Sequence, residues 1–144
     1  VTRTATPALR GYQGFHVRLR RAPEAAREAR VMARVALAQW GLDAAADTVV
    51  LLLSELVGNA VRHAAGPDVR ITVDRPADHH LYVAVTDRAP LCLPRIRQAS
   101  PEDLGGRGLC LVDVHAARWG VDLIGGHSPE AKRVWAEVDV RAGG

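Results

Sequence analysis

The spacing of apolar positions changes period several times along the chain. Phe15, Val17 and Leu19 alternate with His16, Arg18 and Arg20, the period of a half-buried strand. Pro23 stands where a helix opens, and Glu24 in its first turn complements the helix dipole. The Ala-rich run from Glu24 to Trp40 is predicted as that helix, with Gly41 as its stop. A second helix is predicted through Val49 to Leu53, Leu56, Val57, Ala60 and Val61, capped by Asp43 or Asp47 and ended by Gly66-Pro67. Val69, Ile71 and Val73 alternate, as do Leu81, Val83 and Val85, and the turn-rich stretch Pro76 to His80 makes these a hairpin. Residues 88–104 hold three prolines, three arginines and no period, and read as a long loop. The glycines 105, 106 and 108 lead into a third helix through Leu109, Val112 and Ala116 that is expected to end near Trp119-Gly120. Beyond Gly125-Gly126, Val134, Ala136, Val138 and Val140 form a last alternating strand. The sum is an α/β (α+β) two-layer sandwich, a mostly antiparallel sheet covered on one face by helices. Residues 1–13 read as an arm, 14–140 as one domain and 141–144 as a tail.

Composition narrows the classes. A chain of 144 residues that is 48% hydrophobic is long enough for one core without disulfides or metals. The longest unbroken apolar run, Val49 to Leu53, is far short of the roughly 20 residues of a membrane span. No basic segment followed by an apolar one opens the sequence, so neither a secretory signal nor a membrane is expected. A net charge of +3 and a pI of about 9.4 would suit nucleic acid. The basic residues are 18 Arg and one Lys beside 24 Ala, however, a skew that looks like codon usage in a GC-rich genome. They are scattered among acids, and aromatic residues make up 4%, so no direct nucleic-acid contact is expected. Cys92 and Cys110 form neither a disulfide framework nor a zinc pattern, and are expected as free thiols in a reducing cytoplasm. Trp40, Trp119 and Trp135 are expected as packing residues.

The second predicted helix carries polar groups beside core positions. Glu55, Asn59 and His63 recur at every fourth residue and share one drifting stripe. Either they look outward, or they serve an ion and a polar ligand, since burial without partners is costly. Asp87 ends a predicted strand, where Asp commonly starts a turn. Gly105, Gly106 and Gly108 open a helix, a place where backbone N–H groups meet anions, although no P-loop Lys-Ser or Lys-Thr follows.

Taken in order, these parts resemble one nucleotide site. The chain resembles the superfamily of gyrase, heat-shock chaperone, histidine kinase and mismatch-repair ATPases with the Bergerat (GHKL) fold. Within it, the likeness is to actinobacterial anti-sigma regulatory factors and serine/threonine kinases. Glu55 to His63 (ELVGNAVRH) resembles the N box, and Asp87-Arg88-Ala89-Pro90 stands at the first glycine box. Gly105-Gly106-Arg107-Gly108-Leu109 resembles the second, and Lys132 to Glu137 the closing strand. The resemblance implies ATP and Mg²⁺ as cofactors. Asn59 would hold Mg²⁺, and Glu55 would be the general base. Asp87 would take the adenine amino group, and residues 105–109 the phosphates, under a lid formed by 88–104. Arg62 and His63 would lie near the phosphates. It implies a cytoplasmic anti-sigma-type regulator that phosphorylates an antagonist on Ser or Thr and binds a sigma factor, with homodimerisation by analogy. The alternative is a nucleotide-binding module that holds protein partners without phosphoryl transfer. The chain departs from the family at Gly58, where Thr or Ser is common, and in the glycine-free box at Asp87. It also departs at the last-strand Thr that supports adenine, whose place by sequence is Arg133.

Overall fold

The computed structural model describes residues 14–90, 112 and 115–140. In chain order these form β1 (Phe15–Arg20), α1 (Glu24–Gln39), a 3₁₀ turn (Asp43–Ala45), α2 (Ala46–His63), β2 (Asp68–Ala77), β3 (His80–Asp87), β4 (Arg118–Ile124) and β5 (Ala131–Asp139). The strands make one five-stranded sheet in the order β1-β2-β3-β5-β4, with every neighbouring pair antiparallel.

Side-chain size sets the layering. The buried face of α1 is Ala25, Ala29, Ala33, Ala36 and Leu37, so its axis approaches α2 closely. Helix α2 supplies the larger groups, Val49, Leu52, Leu53, Leu56 and Val57, each at most 2% exposed. They meet Ile71, Val73, Leu81, Val83, Val85, Val134 and Ala136 on the covered face of the sheet. Each such aliphatic burial is worth roughly 1.5–3 kcal/mol. By length and hydropathy, Asp43–His63 resembles a membrane span, but it packs here against α1, β2, β3 and β5 as a core helix.

Gly41, at φ +72°, ends α1 as expected. Leu42 N–H donates to Leu37 C=O at 2.8 Å and Gly41 N–H to Ala38 C=O at 3.1 Å, the paired bonds of a Schellman motif. The start of α2 differs from expectation. Asp43 begins the 3₁₀ turn, Asp47 lies in the first helical turn, and neither side chain caps the helix. At its other end Arg21 donates to Val61 O at 2.8 Å and Gly66 O at 2.7 Å, placing a cation where the helix dipole is negative.

The hairpin is tighter than the sequence pattern suggested. β2 runs through Pro76 to Ala77, with an irregularity between Asp74 and Ala77 that accommodates the proline. His79 and His80 lie exposed at its end. The third helix ends earlier than expected: Val112 and His115 are helical, but Arg118–Ile124 is a strand, β4, that the apolar pattern left unassigned. Gly120 is not a helix stop. It faces Trp135 across the ladder, and a Cβ there would come within 2.8 Å of the indole. The glycine makes room for the ring, which stacks on Tyr82 with centroids 6.1 Å apart.

Asp74 lies fully buried on the sheet face away from the helices. His16 Nε2 lies 3.4 Å from its Oδ1, and neither carboxylate oxygen has a hydrogen-bond partner among the described residues. Burial pushes its pKa up from 3.8 to about 7, against the opposing pull of Arg133. Between those values the folded chain keeps a proton that the unfolded chain has lost, so stability falls as pH rises through the window. Asp74→Asn is therefore expected to raise the melting temperature at pH 8 and to flatten its dependence between pH 4 and 8. Calorimetric melts of both proteins across that range check it.

Candidate functional site

Helix α2 delivers the site residues in its last three turns. Glu55 and Asn59 are half-buried at the margin of the Leu52, Leu56 and Val57 face, while Arg62 and His63 are exposed. Glu55 accepts no hydrogen bond from the described residues. Asn59 Oδ1 accepts one from Arg62 Nη2 at 2.8 Å. Gly58 leaves space beside this contact: a Cβ at this position would stand 3.1 Å from Arg62 Nη1, and the guanidinium would have to shift by a few tenths of an ångström.

Asp87 closes β3 on the same face as Leu81, Val83 and Val85, the face that α2 covers. Its end of the sheet adjoins the end of α2, since a Cβ at Gly66 would lie 3.2 Å from the Arg88 side chain. The fold thus brings the stripe on α2 and the strand-end carboxylate to one end of the domain. Gly105, Gly106, Arg107, Gly108 and Leu109, the lid beyond Pro90, and both cysteines lie outside the described residues.

The residue that sequence reasoning missed is Lys132. It faces Asp87 directly across the β3–β5 ladder. Its Nζ donates to Asp87 Oδ1 at 2.8 Å, Asp87 Oδ2 at 2.9 Å and Ala89 O at 2.9 Å. Ala89 N–H adds a bond to Asp87 Oδ1 at 2.8 Å, an Asx-type turn. Both side chains of the pair are at most 5% exposed. Asp87 is therefore both a turn-former, as its place in the sequence suggests, and half of a buried ion pair.

Arg133 is corrected by the same register. It pairs with Thr86, to which its Nε donates at 3.4 Å, and so lies on the sheet face turned away from α2. The position opposite Asp87 belongs to Lys132. An open groove of about 970 Å³ lies over that outer face, lined in part by His16, Arg18, Arg70, Thr72 and Arg133, and reaches Asp87 and Arg88 at the strand end. It lies across the sheet from Glu55 and Asn59.

The donor set fits Mg²⁺ and a nucleotide. An amide oxygen is a hard donor, and Mg²⁺ typically takes one or two protein oxygens, phosphates and waters. No cluster of three His, Cys, Asp or Glu that would cage a metal exists among the described residues.

Comparison with known proteins agrees with this architecture. Residues 19–118 match the family described as histidine kinase-like ATPase domain, and the chain belongs to that family. The solved RsbU and RsbW domains of Rv1364c from Mycobacterium tuberculosis superpose with a TM-score of 0.66 at 20% identity, over 89% of this chain and 32% of that one. The present chain therefore spans about a third of that protein's length. A mycobacterial sensor histidine kinase, MprB, aligns over 89% of this chain and 99% of its own, with TM-score 0.46 and 14% identity. No curated protein matches the chain.

Removing one partner of a buried ion pair strands the other charge. Lys132→Met is expected to lower the unfolding free energy by about 3–5 kcal/mol. The double variant Asp87→Asn/Lys132→Met should recover most of that loss. Urea denaturation of the three proteins checks both statements.

Proposed function

We propose that the chain is a cytoplasmic, Mg-ATP-binding regulator of the anti-sigma type that phosphorylates a Ser or Thr of an antagonist protein and also holds a sigma factor. The observation that carries this reading is the placement of Glu55 and Asn59 one turn apart on α2, at the end of the domain where Asp87 closes β3. Membership of the ATPase family and the fold shared with a chain bearing an RsbW domain support it.

In this reading Asn59 Oδ1 would hold Mg²⁺, and Arg62 and His63 would lie near the phosphates. Residues 105–109 would take the remaining phosphate oxygens, and Asp87 would face the base. When bound, Mg-ATP supplies the phosphoryl group to be transferred. Glu55 accepts the proton of the attacking hydroxyl, and its lack of a bonded partner among the described residues leaves both oxygens available for that task. Phosphoryl transfer asks mainly for positioning and charge stabilisation, and a stripe on a rigid core helix supplies the positioning.

A second reading, a nucleotide-dependent binding module without transfer, is favoured by the Arg62–Asn59 bond. An amide oxygen already held within the chain has to be released before it meets a metal, which suits a switch between nucleotide states.

Two measurements separate these readings. Asn59→Ala is expected to weaken Mg-ATP binding about tenfold or more in calorimetry, with the loss vanishing when Mg²⁺ is withheld. Glu55→Gln should leave binding intact while transfer of labelled phosphate to an antagonist falls by about 10²–10⁴. Tight binding with no transfer by the wild type to any antagonist selects the module.

A further inference from the structure

Lys132 has three N–H donors, and all three are placed, on Asp87 Oδ1, Asp87 Oδ2 and Ala89 O. Asp87 Oδ1 also receives Ala89 N–H, so this oxygen is filled and Oδ2 keeps one acceptor position. The carboxylate is thereby neutralised within the chain. A hydrogen bond to an ionised acceptor is roughly twice as strong as one between neutral groups. A base amino group reaching this carboxylate meets an acceptor already shared with an ammonium, and gains little over water.

The pairing is built into the ladder. β3 and β5 are neighbours inside the sheet, and their register sets Lys132 opposite Asp87 while turning Arg133 to the other face. For Lys132 to swing away, its three hydrogen bonds would be broken and a buried carboxylate left uncompensated.

We propose that Lys132 is a specificity-determining residue of the nucleotide pocket. It keeps Asp87 engaged, so the pocket accepts purine nucleotides with little regard for the group at C6 and draws its affinity from the phosphate end. This inference rests on the reading of Asp87 as the base-facing carboxylate.

The test compares Mg-ATP with Mg-bound purine riboside triphosphate, which lacks the 6-amino group, by calorimetry on the wild-type chain. The two dissociation constants are expected to agree within about threefold. In Lys132→Thr, where Asp87 is left bare, ATP should be preferred by about tenfold or more. A wild-type preference of tenfold for ATP overturns the proposal, and so does a Lys132→Thr variant that binds both equally. Should that variant not fold, the wild-type comparison decides alone. Absence of Mg-dependent binding of either nucleotide removes the nucleotide site itself and the proposal with it. That result is distinct from a site that binds both and reads the amino group.

Discussion

The ion pair between Lys132 and Asp87 ties together two strands whose residues are 45 positions apart in sequence. Around it the fold has few degrees of freedom left. It pins the β3–β5 register, and with it which residues of both strands face α2. It also holds the first residues after β3, since the same ammonium binds Ala89 O and the same carboxylate binds Ala89 N–H. A buried pair is a poor source of net stability, because desolvation offsets most of the attraction. What it provides here is a defined place for the chain to leave the sheet, at the mouth of the site.

The second constraint is steric. Alanines on α1 let that helix approach closely, so α2 is covered on one side by α1 and on the other by the sheet. A helix enclosed in this way has a narrow margin where polar side chains reach the surface. Glu55 and Asn59 occupy that margin, which fixes their direction better than a loop would. Gly58 and Arg62 belong to the same economy of space, the missing Cβ leaving room for the guanidinium to fold back over the helix.

Much of this was legible in the sequence, and the exceptions have physical causes. The alternation of Val69, Ile71 and Val73 and of Leu81, Val83 and Val85, the stop at Gly41 and the stripe on α2 all follow from local periodicity and turn chemistry. β4 was hidden because Gly120 reads locally as a breaker; its reason is the indole of Trp135, a contact made across the sheet. Lys132 was hidden for a related reason. The alternation that carries Val85 and Val134 inward also puts Asp87 and Lys132 on the covered face, but only the pairing of β3 with β5, which no local pattern contains, sets the two opposite each other. The Arg62–Asn59 bond, by contrast, joins positions three apart on one helix, and helical geometry alone allows it.

The order of the sheet gives the two ends of the site different mobilities. The Asp87 carboxylate is anchored between β3 and β5, each of which is hydrogen-bonded to a strand on both sides. Backbone amides in such a position open only in the rarest fluctuations. Arg62 and His63 lie exposed in the last turn of α2, where a helix frays most readily, while Glu55 and Asn59 stand deeper along it. A ligand spanning both would meet a stationary wall at one end and a breathing one at the other.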